Sequence, residues 1–451
     1  MDSIPVAAPH GSPARCPMHG LDFAADPNQI YDRLRAHGPA APVELAPGVD
    51  ATLVTNHEAA LRVLQNTTLF SRDSSTYWAA LLEGRVPLDT PVLPMMAARP
   101  GNCLFTDGAA HKRLRTAVSE SLARLNMSRL RRDVDLIGDY LIDQFSERGT
   151  ADLLNDYARI LALLLFNKLF GCPADIGDTL ATSMAAIFDG KDALRANEDL
   201  TACLLELIAI KRRQPGDDMT SWLIQHPAGL TDAELTDQLV MLMGAGVEPE
   251  RNLIGNTLLL LLSDQGANML IEEALDNVLW NHTPIANYAT HYPLKDIDLG
   301  GVPVDAHTPL VISFAAANSD PALTSARQSL SKGAHLAWGA GEHACPAKSP
   351  AQVIAVTAIE KILNALPDLK LAVPAESLQW RPGPFHRALV TLPVYFTPTP
   401  ASRVAAALNA TDSRNPAALP AQTPAPAMPR AEGKPAKKKG FWSTFLDTFR
   451  L

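Results

Sequence analysis

Cys345 stands in the stretch His335 to Ala347, HLAWGAGEHACPA, between a short apolar run and a long apolar helix. A thiolate ligates a metal only where its charge is stabilised and the backbone can pass close to the ion. Gly339 and Gly341 permit close approach and positive φ. Backbone N–H groups and the N-terminus of a helix predicted from Ser349 onward favour the anion. A buried free thiol in a glycine-rich turn would read the same way, so the residues in register with it decide the chemistry.

Two further groups bear on that chemistry. In DGAAHKRLRTAV, which starts at Asp107, His111 and Arg115 fall four apart on one helix face. Such a pair can hold one anion from adjacent turns, or belong to a solvated basic face. The segment Leu239 to Ser263, LVMLMGAGVEPERNLIGNTLLLLLS, is apolar nearly all round and predicts a helix through the centre of the protein. It carries Ala245, Gly246 and Glu248. Glu248 reads either as a proton relay or as an acid satisfied by Arg251.

Together these residues resemble the cytochrome P450 family. That family's cysteine loop has an aromatic seven residues before the cysteine, a glycine four before, Arg or His two before and a glycine two after. Trp338, Gly341, His343 and Cys345 match, and Ala347 stands where the last glycine is expected. The resemblance implies haem b ligated by Cys345, with His111, Arg115 and His343 at its propionates. His291 stands where an arginine usually meets the second propionate, and reads otherwise as a surface histidine in a turn. It also places Ala245, Gly246 and Glu248 on the oxygen side.

The chain departs from the family at two motifs. Pro249 occupies the place of the central-helix threonine and offers neither a hydroxyl nor an N–H. A kink with free carbonyls is expected there. The usual Glu, two residues, Arg is also missing. One register puts Asn277 and Trp280 there, the other Glu273 and Asp276. A buried ion pair is often replaceable by apolar packing, so Trp280 is expected to fill the arginine's place. The resemblance is therefore to an atypical subgroup of bacterial soluble members.

The elements that must position these residues follow from pattern and composition. Helices are expected over Asn28–Gly38, Glu58–Leu64, Ser119–Arg132, Asp152–Pro173 and Gln352–Leu366, with strands at Ala51–Thr55 and Val390–Phe396. This gives a mainly α protein with a small β part, a single large haem domain over residues 21–398. A loose segment, residues 1–20, precedes it. An Ala/Pro-rich linker, 399–439, and a short aromatic helix, 440–451, follow. In that last stretch Phe441, Trp442, Phe445, Leu446 and Phe449 recur at helical spacing behind Lys437, Lys438 and Lys439. The pattern suits an anionic membrane surface, a groove on a regulatory partner, or a tail folded back on its own domain.

A net charge of −9 argues against general nucleic-acid binding, and five scattered cysteines argue against a disulfide framework. The N-terminal stretch has no apolar core for a signal peptide or anchor, so the cytoplasm is expected, with the tail as a route to the membrane surface. Two functions remain. One is a monooxygenase that oxidises a small hydrophobic substrate, fed by ferredoxin and ferredoxin reductase because no flavin or nicotinamide fingerprint is present. The other is a catalytically impaired haem-binding sensor or regulatory protein that docks through its tail.

Overall fold

The computed structural model describes residues 15–97, 101–188, 192–323, 332–401, 442, 445 and 446. Eleven of its helices carry the argument. They are α1 (Pro27–Arg35), α2 (His57–Gln65), α3 (Gly108–Ala123), α4 (Met127–Asp143), α5 (Arg159–Phe170) and α6 (Ala174–Phe188). After these come α7 (Ala193–Arg213), α8 (Met219–Gln225), α9 (Asp232–Leu262), α10 (Ile271–Asn281) and α11 (Lys348–Ala365).

The 31 residues of α9 make a rod about 46 Å long. Its start is fixed by a capping box, in which Thr231 and Glu234 satisfy each other's backbone N–H groups. Leu235, Leu239 and Met243 join α3, α6, α7 and α8 in one apolar cluster. Leu253, Ile254 and Leu258 join α4, α5, α10 and α11 in another. The stretch between, Gly244 to Asn252, belongs to neither. The residues that can do chemistry thus lie where the two cores part.

The strands are β1 (Cys16–Pro17), β2 (Ala40–Ala46), β3 (Val49–Val54), β4 (Phe70–Ser71), β5 (Thr150–Asp152), β6 (Asn287–Pro293), β7 (Leu310–Ser313), β8 (Lys370–Leu371) and β9 (Pro393–Tyr395). Six of them form one sheet in the order β1-β2-β3-β7-β6-β4, and β8-β9-β5 form a second. In the larger sheet β7 lies parallel to β3 and antiparallel to β6. That pairing sets His291 opposite Leu310, a contact between distant stretches of chain.

Several sequence expectations shift. The helix expected over Ser119–Arg132 is two helices, because Asn126 accepts from the Arg129 N–H and starts α4 afresh. The apolar run from Asp152 begins with one π-helical stretch, Leu153–Ala158, before α5. Pairing begins already at Cys16, which meets Val43, although composition made everything before Gly20 loose. Pro249 lies inside α9, which continues beyond it to Leu262.

The tail departs most. Trp442 and Phe445 are buried in the domain's own core, and Leu446 packs beside them. Phe441, Phe449, Lys437, Lys438 and Lys439 lie outside the described residues, as does most of the predicted linker. Half of the apolar face expected to meet a membrane or partner is therefore already covered. No helix among the described residues is long and apolar enough to cross a membrane.

Candidate haem site

The cysteine loop turns on two glycines. Gly339 and Gly341 have φ of 68° and 72°, values that cost an L side chain roughly 1–2 kcal/mol. A Cβ on Gly341 would also lie 2.3 Å from the Leu64 carbonyl oxygen at the end of α2. The loop passes flush against that helix. The Gly339 N–H donates to the Leu336 carbonyl at 2.8 Å, and the Cys345 N–H donates to the Trp338 carbonyl, also at 2.8 Å. These bonds close the turn and set Cys345 just before α11.

Cys345 has solvent-accessible surface, yet the surrounding protein desolvates it. Burial raises its thiol pKa, against the opposing pull of the Ala347 N–H and Arg115. A side chain that is both accessible and desolvated faces space inside the protein. A cavity of about 490 Å³ lies elsewhere, lined by Arg35, Asn56, Arg62 and Asp320 among others. It contains none of the residues singled out by sequence, so chemistry and not volume marks the site.

Beside the thiol the fold gathers cationic and imidazole groups. His111 and Arg115 come from α3, His343 from the loop, His291 from β6, and Arg72 from the residue after β4. The His111 and His343 rings lie 4.0 Å apart between centroids. His343 is pushed far below its usual pKa, first by burial and then by Arg72, His111, His291 and Arg115. His291 and His111 are lowered by burial, with Arg72 adding to both. Glu342 is the nearest carboxylate to the two rings, at 3.7 and 3.8 Å. His111 Nε2 and both nitrogens of His343 are buried without a hydrogen-bond partner, and so is Trp338 Nε1.

Buried polar groups are nearly always paired, so this cluster calls for an anionic partner with several acceptor oxygens. Haem b, with two propionates, supplies that, and the residues present fit it. Arg115 also donates to the Ala344 carbonyl next to the cysteine, linking α3 to the loop. Arg72 was missed by the sequence reading. It is 2% exposed, and donates to the carbonyls of Thr290 at 2.6 Å and Leu104 at 3.2 Å. No motif announced it, because its neighbours arrive from remote parts of the chain. His291 is buried, which removes the surface-turn alternative.

The helix side looks different. Ala245 is exposed in mid-helix. A Cβ on Gly246 would meet the Phe166 ring at 2.1 Å, so this glycine serves the close packing of α5 on α9. Glu248 is committed elsewhere. It accepts from Arg251 at 3.0 Å and from Arg381. Burial alone would raise its pKa, but Arg381 and Arg251 hold it below the usual range.

Two residues on, Glu250 is 5% exposed, its Oε1 has no partner, and burial raises its pKa well above the ordinary value. It lies close enough to Cys345 for its ionised form to raise the thiol pKa. Sequence reasoning passed over Glu250 because the family motif ends at Pro249.

Beneath the loop, Trp280 takes the place of the missing arginine by packing. It is 4% exposed and meets the His335 ring edge-on at 5.7 Å. Asp276 lies 4.0 Å from His335, so an aromatic and imidazole contact ties α10 to the loop, as expected where the motif's ion pair is missing.

No family model matches the chain. Individual relatives do. It is 32% identical over 399 residues to the cytochrome P450 monooxygenase PikC of Streptomyces venezuelae, spanning 83% of this chain and 92% of that one. It is 31% identical over 401 residues to nocardicin C N-oxygenase of Nocardia uniformis subsp. tsuyamanensis, spanning 83% and 97%. Among solved structures it resembles CYP154C4 from Streptomyces sp. W2061, with a TM-score of 0.76 at 28% identity over 84% of this chain and 97% of that one. Identity at that level across nearly the whole of such relatives, with a cysteine loop built to hold haem b through a thiolate, shows that the chain belongs to the cytochrome P450 family.

Proposed function

We propose that the chain is a working monooxygenase of a small hydrophobic substrate, fed by a ferredoxin and a ferredoxin reductase. In balance, a substrate C–H, O2, two electrons and two protons give an alcohol and water. Bound through Cys345, haem b supplies O2 binding and O–O cleavage, which a thiolate ligand favours. The observation that carries the reading is the cluster of buried Arg72, His111 and His291 with half-buried Arg115 and His343 beside an accessible Cys345. In this reading His111, Arg115, His343 and His291 hold the propionates, with Arg72 behind them.

The protons require a neutral acid near the oxygen side. Two carboxylates whose surroundings drive their pKa values apart divide such work between them. Glu248, paired with two arginines, stays a carboxylate, and Glu250 stays a carboxylic acid. Glu250 is thus the better donor, while Glu248 anchors the helix, Ala245 borders the oxygen side and Gly246 seats α5 against α9. Names of relatives such as 6-deoxyerythronolide B hydroxylase of Saccharopolyspora erythraea, 26% identical, support a natural-product-like substrate. A cytoplasmic setting suits the scattered cysteines. The proposed division of the chain is a haem domain over 21–398, a linker and a short C-terminal segment.

The test is reconstitution with haem, ferredoxin and reductase. Thiolate-type absorption of the reduced carbon-monoxide complex and oxygenated product, both lost in Cys345→Ala, are the expected results. One observation favours a second reading. Because Glu248 is held by Arg251 and Arg381, the family's usual proton relay is locked, as a haem-binding sensor or regulatory protein would tolerate. Peroxide alone, without product from a broad panel of hydrophobic substrates, would favour that reading.

A further inference from the structure

Trp442 and Phe445 are seated against the haem domain by contacts of definite shape. We propose that this C-terminal aromatic segment is a tethered ligand of its own chain. It fills a socket made by Tyr140 of α4 and Cys172 to Asp178 at the α5–α6 junction, and thereby pins the root of the α6–α7 hairpin.

The fit is steric first. A Cβ on Gly177 would stand 2.0 Å from Cδ1 of Trp442, so only glycine at this position admits the indole. The Trp442 and Phe445 rings stack at 5.4 Å and 15°, and Tyr140 meets Phe445 edge-on at 5.2 Å. Such arrangements add to the plain burial of aromatic area. Two directional bonds fix the orientation. The indole N–H donates to the Cys172 carbonyl at 3.2 Å, and the Trp442 backbone N–H donates to the Asp178 carboxylate at 2.7 Å.

The socket sits at a mechanically useful place. Asn167 donates to the Gly177 carbonyl at 2.9 Å, and the Cys203 thiol meets the Ile176 carbonyl at 3.4 Å. The segment adds one bond on each side of the first turn of α6, to the Cys172 carbonyl before it and the Asp178 carboxylate after it. Through α6 and α7 this turn is continuous with Leu235, Leu239 and Met243 of α9, the helix that carries Ala245.

The occupant is the chain's own segment for two reasons. Roughly 40 residues separate it from Ala401, a tether that keeps its local concentration on the order of millimolar. The charges are also complementary. Asp175, Asp199 and Glu206 surround Cys203 on α6 and α7, and Lys437, Lys438 and Lys439 lie immediately upstream of the segment in sequence.

The experiment uses the full-length haem-loaded protein and its Trp442→Ala/Phe445→Ala double variant, with a labelled synthetic peptide of residues 434–451. Saturable binding of the peptide to the variant is expected. Binding to the wild type should be at least about tenfold weaker, because its own segment competes. Hydrogen exchange in the first turn of α6 should quicken in the variant, while α10 and the thiolate-type carbon-monoxide spectrum stay unchanged. Gly177→Ala, which fills the socket and leaves the segment intact, should quicken the same amides and block the peptide.

A folded variant that neither binds peptide nor changes exchange overturns the proposal. So does a Trp442-dependent dimer by light scattering, which would place the segment in a second copy. Trp442-dependent sedimentation of the wild type with phosphatidylserine vesicles would equally overturn it in favour of a membrane.

Discussion

The cysteine side and the helix side of the site are built on opposite principles. On the cysteine side, groups from α3, β6, the loop and the residue after β4 converge with donors left over. An anion is wanted there. On the helix side, Glu248 is already paired with Arg251 and Arg381, and Glu250 is buried with its pKa pushed up by desolvation. Binding of the cofactor and handling of protons are therefore separable in this chain, and substitutions on the two sides should fail in different ways.

The largest effect is expected on the cysteine side. Cys345→Ala removes the thiolate, so the reduced carbon-monoxide complex should lose its thiolate-type Soret band entirely while the cationic cluster still retains some haem. Loss of all haem, with nothing retained, would mean that the cluster contributes nothing to binding and would collapse the distinction drawn above. In the haem-free protein Cys345 should alkylate faster than Cys103, Cys172 and Cys203, which are buried, and haem should protect it.

Next comes Arg115→Ala. A hydrogen bond to a charged group contributes about 1.5–3 kcal/mol, and Arg115 is half-buried and linked to the Ala344 carbonyl. Haem affinity by displacement titration should fall roughly 10- to 100-fold. Arg115→Lys should recover only part of it, since lysine lacks the planar fork. An unchanged affinity would show that the cluster's charge, and not this link, holds the propionates.

How much of this could be read before the fold is uneven, and the reason is physical. The cysteine loop was legible because its constraints are local: Gly339, Gly341, His343 and Cys345 lie within one turn. Helix α9 was legible from its apolar run, and its neighbours from their periodicity. Arg72 was not, since its place beside His111 and His343 depends on β4 pairing with β6, far along the chain. His291 was named but its depth was not, because burial came from β7. Glu250 was missed, and the tail's fold onto its own domain was left as one of three readings, for a shared reason. Whether an acid is paired, or an aromatic covered, is decided by what packs against it, and periodicity alone says nothing of that.

On the helix side Glu250→Gln separates acid from architecture. Glu250 has a folded-state pKa raised above its unfolded value. The folded state therefore favours the protonated form, and stability is lost as pH rises above the unfolded value of about 4.3. Glutamine cannot ionise. The stability of Glu250→Gln relative to wild type, from urea melts, should climb between pH 5 and pH 8 by about 1–3 kcal/mol. Product formed per O2 consumed should fall in the same variant, with haem affinity unchanged. A flat stability difference across that range would mean that Glu250 has a partner and is no proton source.

The smallest effect tests the proline itself. At Pro249 the Ala245 carbonyl loses the N–H it would receive in an uninterrupted helix, yet α9 is assigned without a break from Asp232 to Leu262. Pro249→Thr restores that N–H and adds a hydroxyl on the turn that carries Ala245. The regained hydrogen bond is partly offset because proline also restricts the unfolded chain, so the net gain by urea denaturation should stay under about 1 kcal/mol. Haem affinity should not move, since the cluster that favours it lies on the other side. If product per O2 rises, the helix side limits turnover and the monooxygenase reading stands with its proton supply as the weak step. If coupling stays flat while stability rises, Glu250 already meets the need that a threonine would serve, and the proline is a tolerated replacement rather than a lesion.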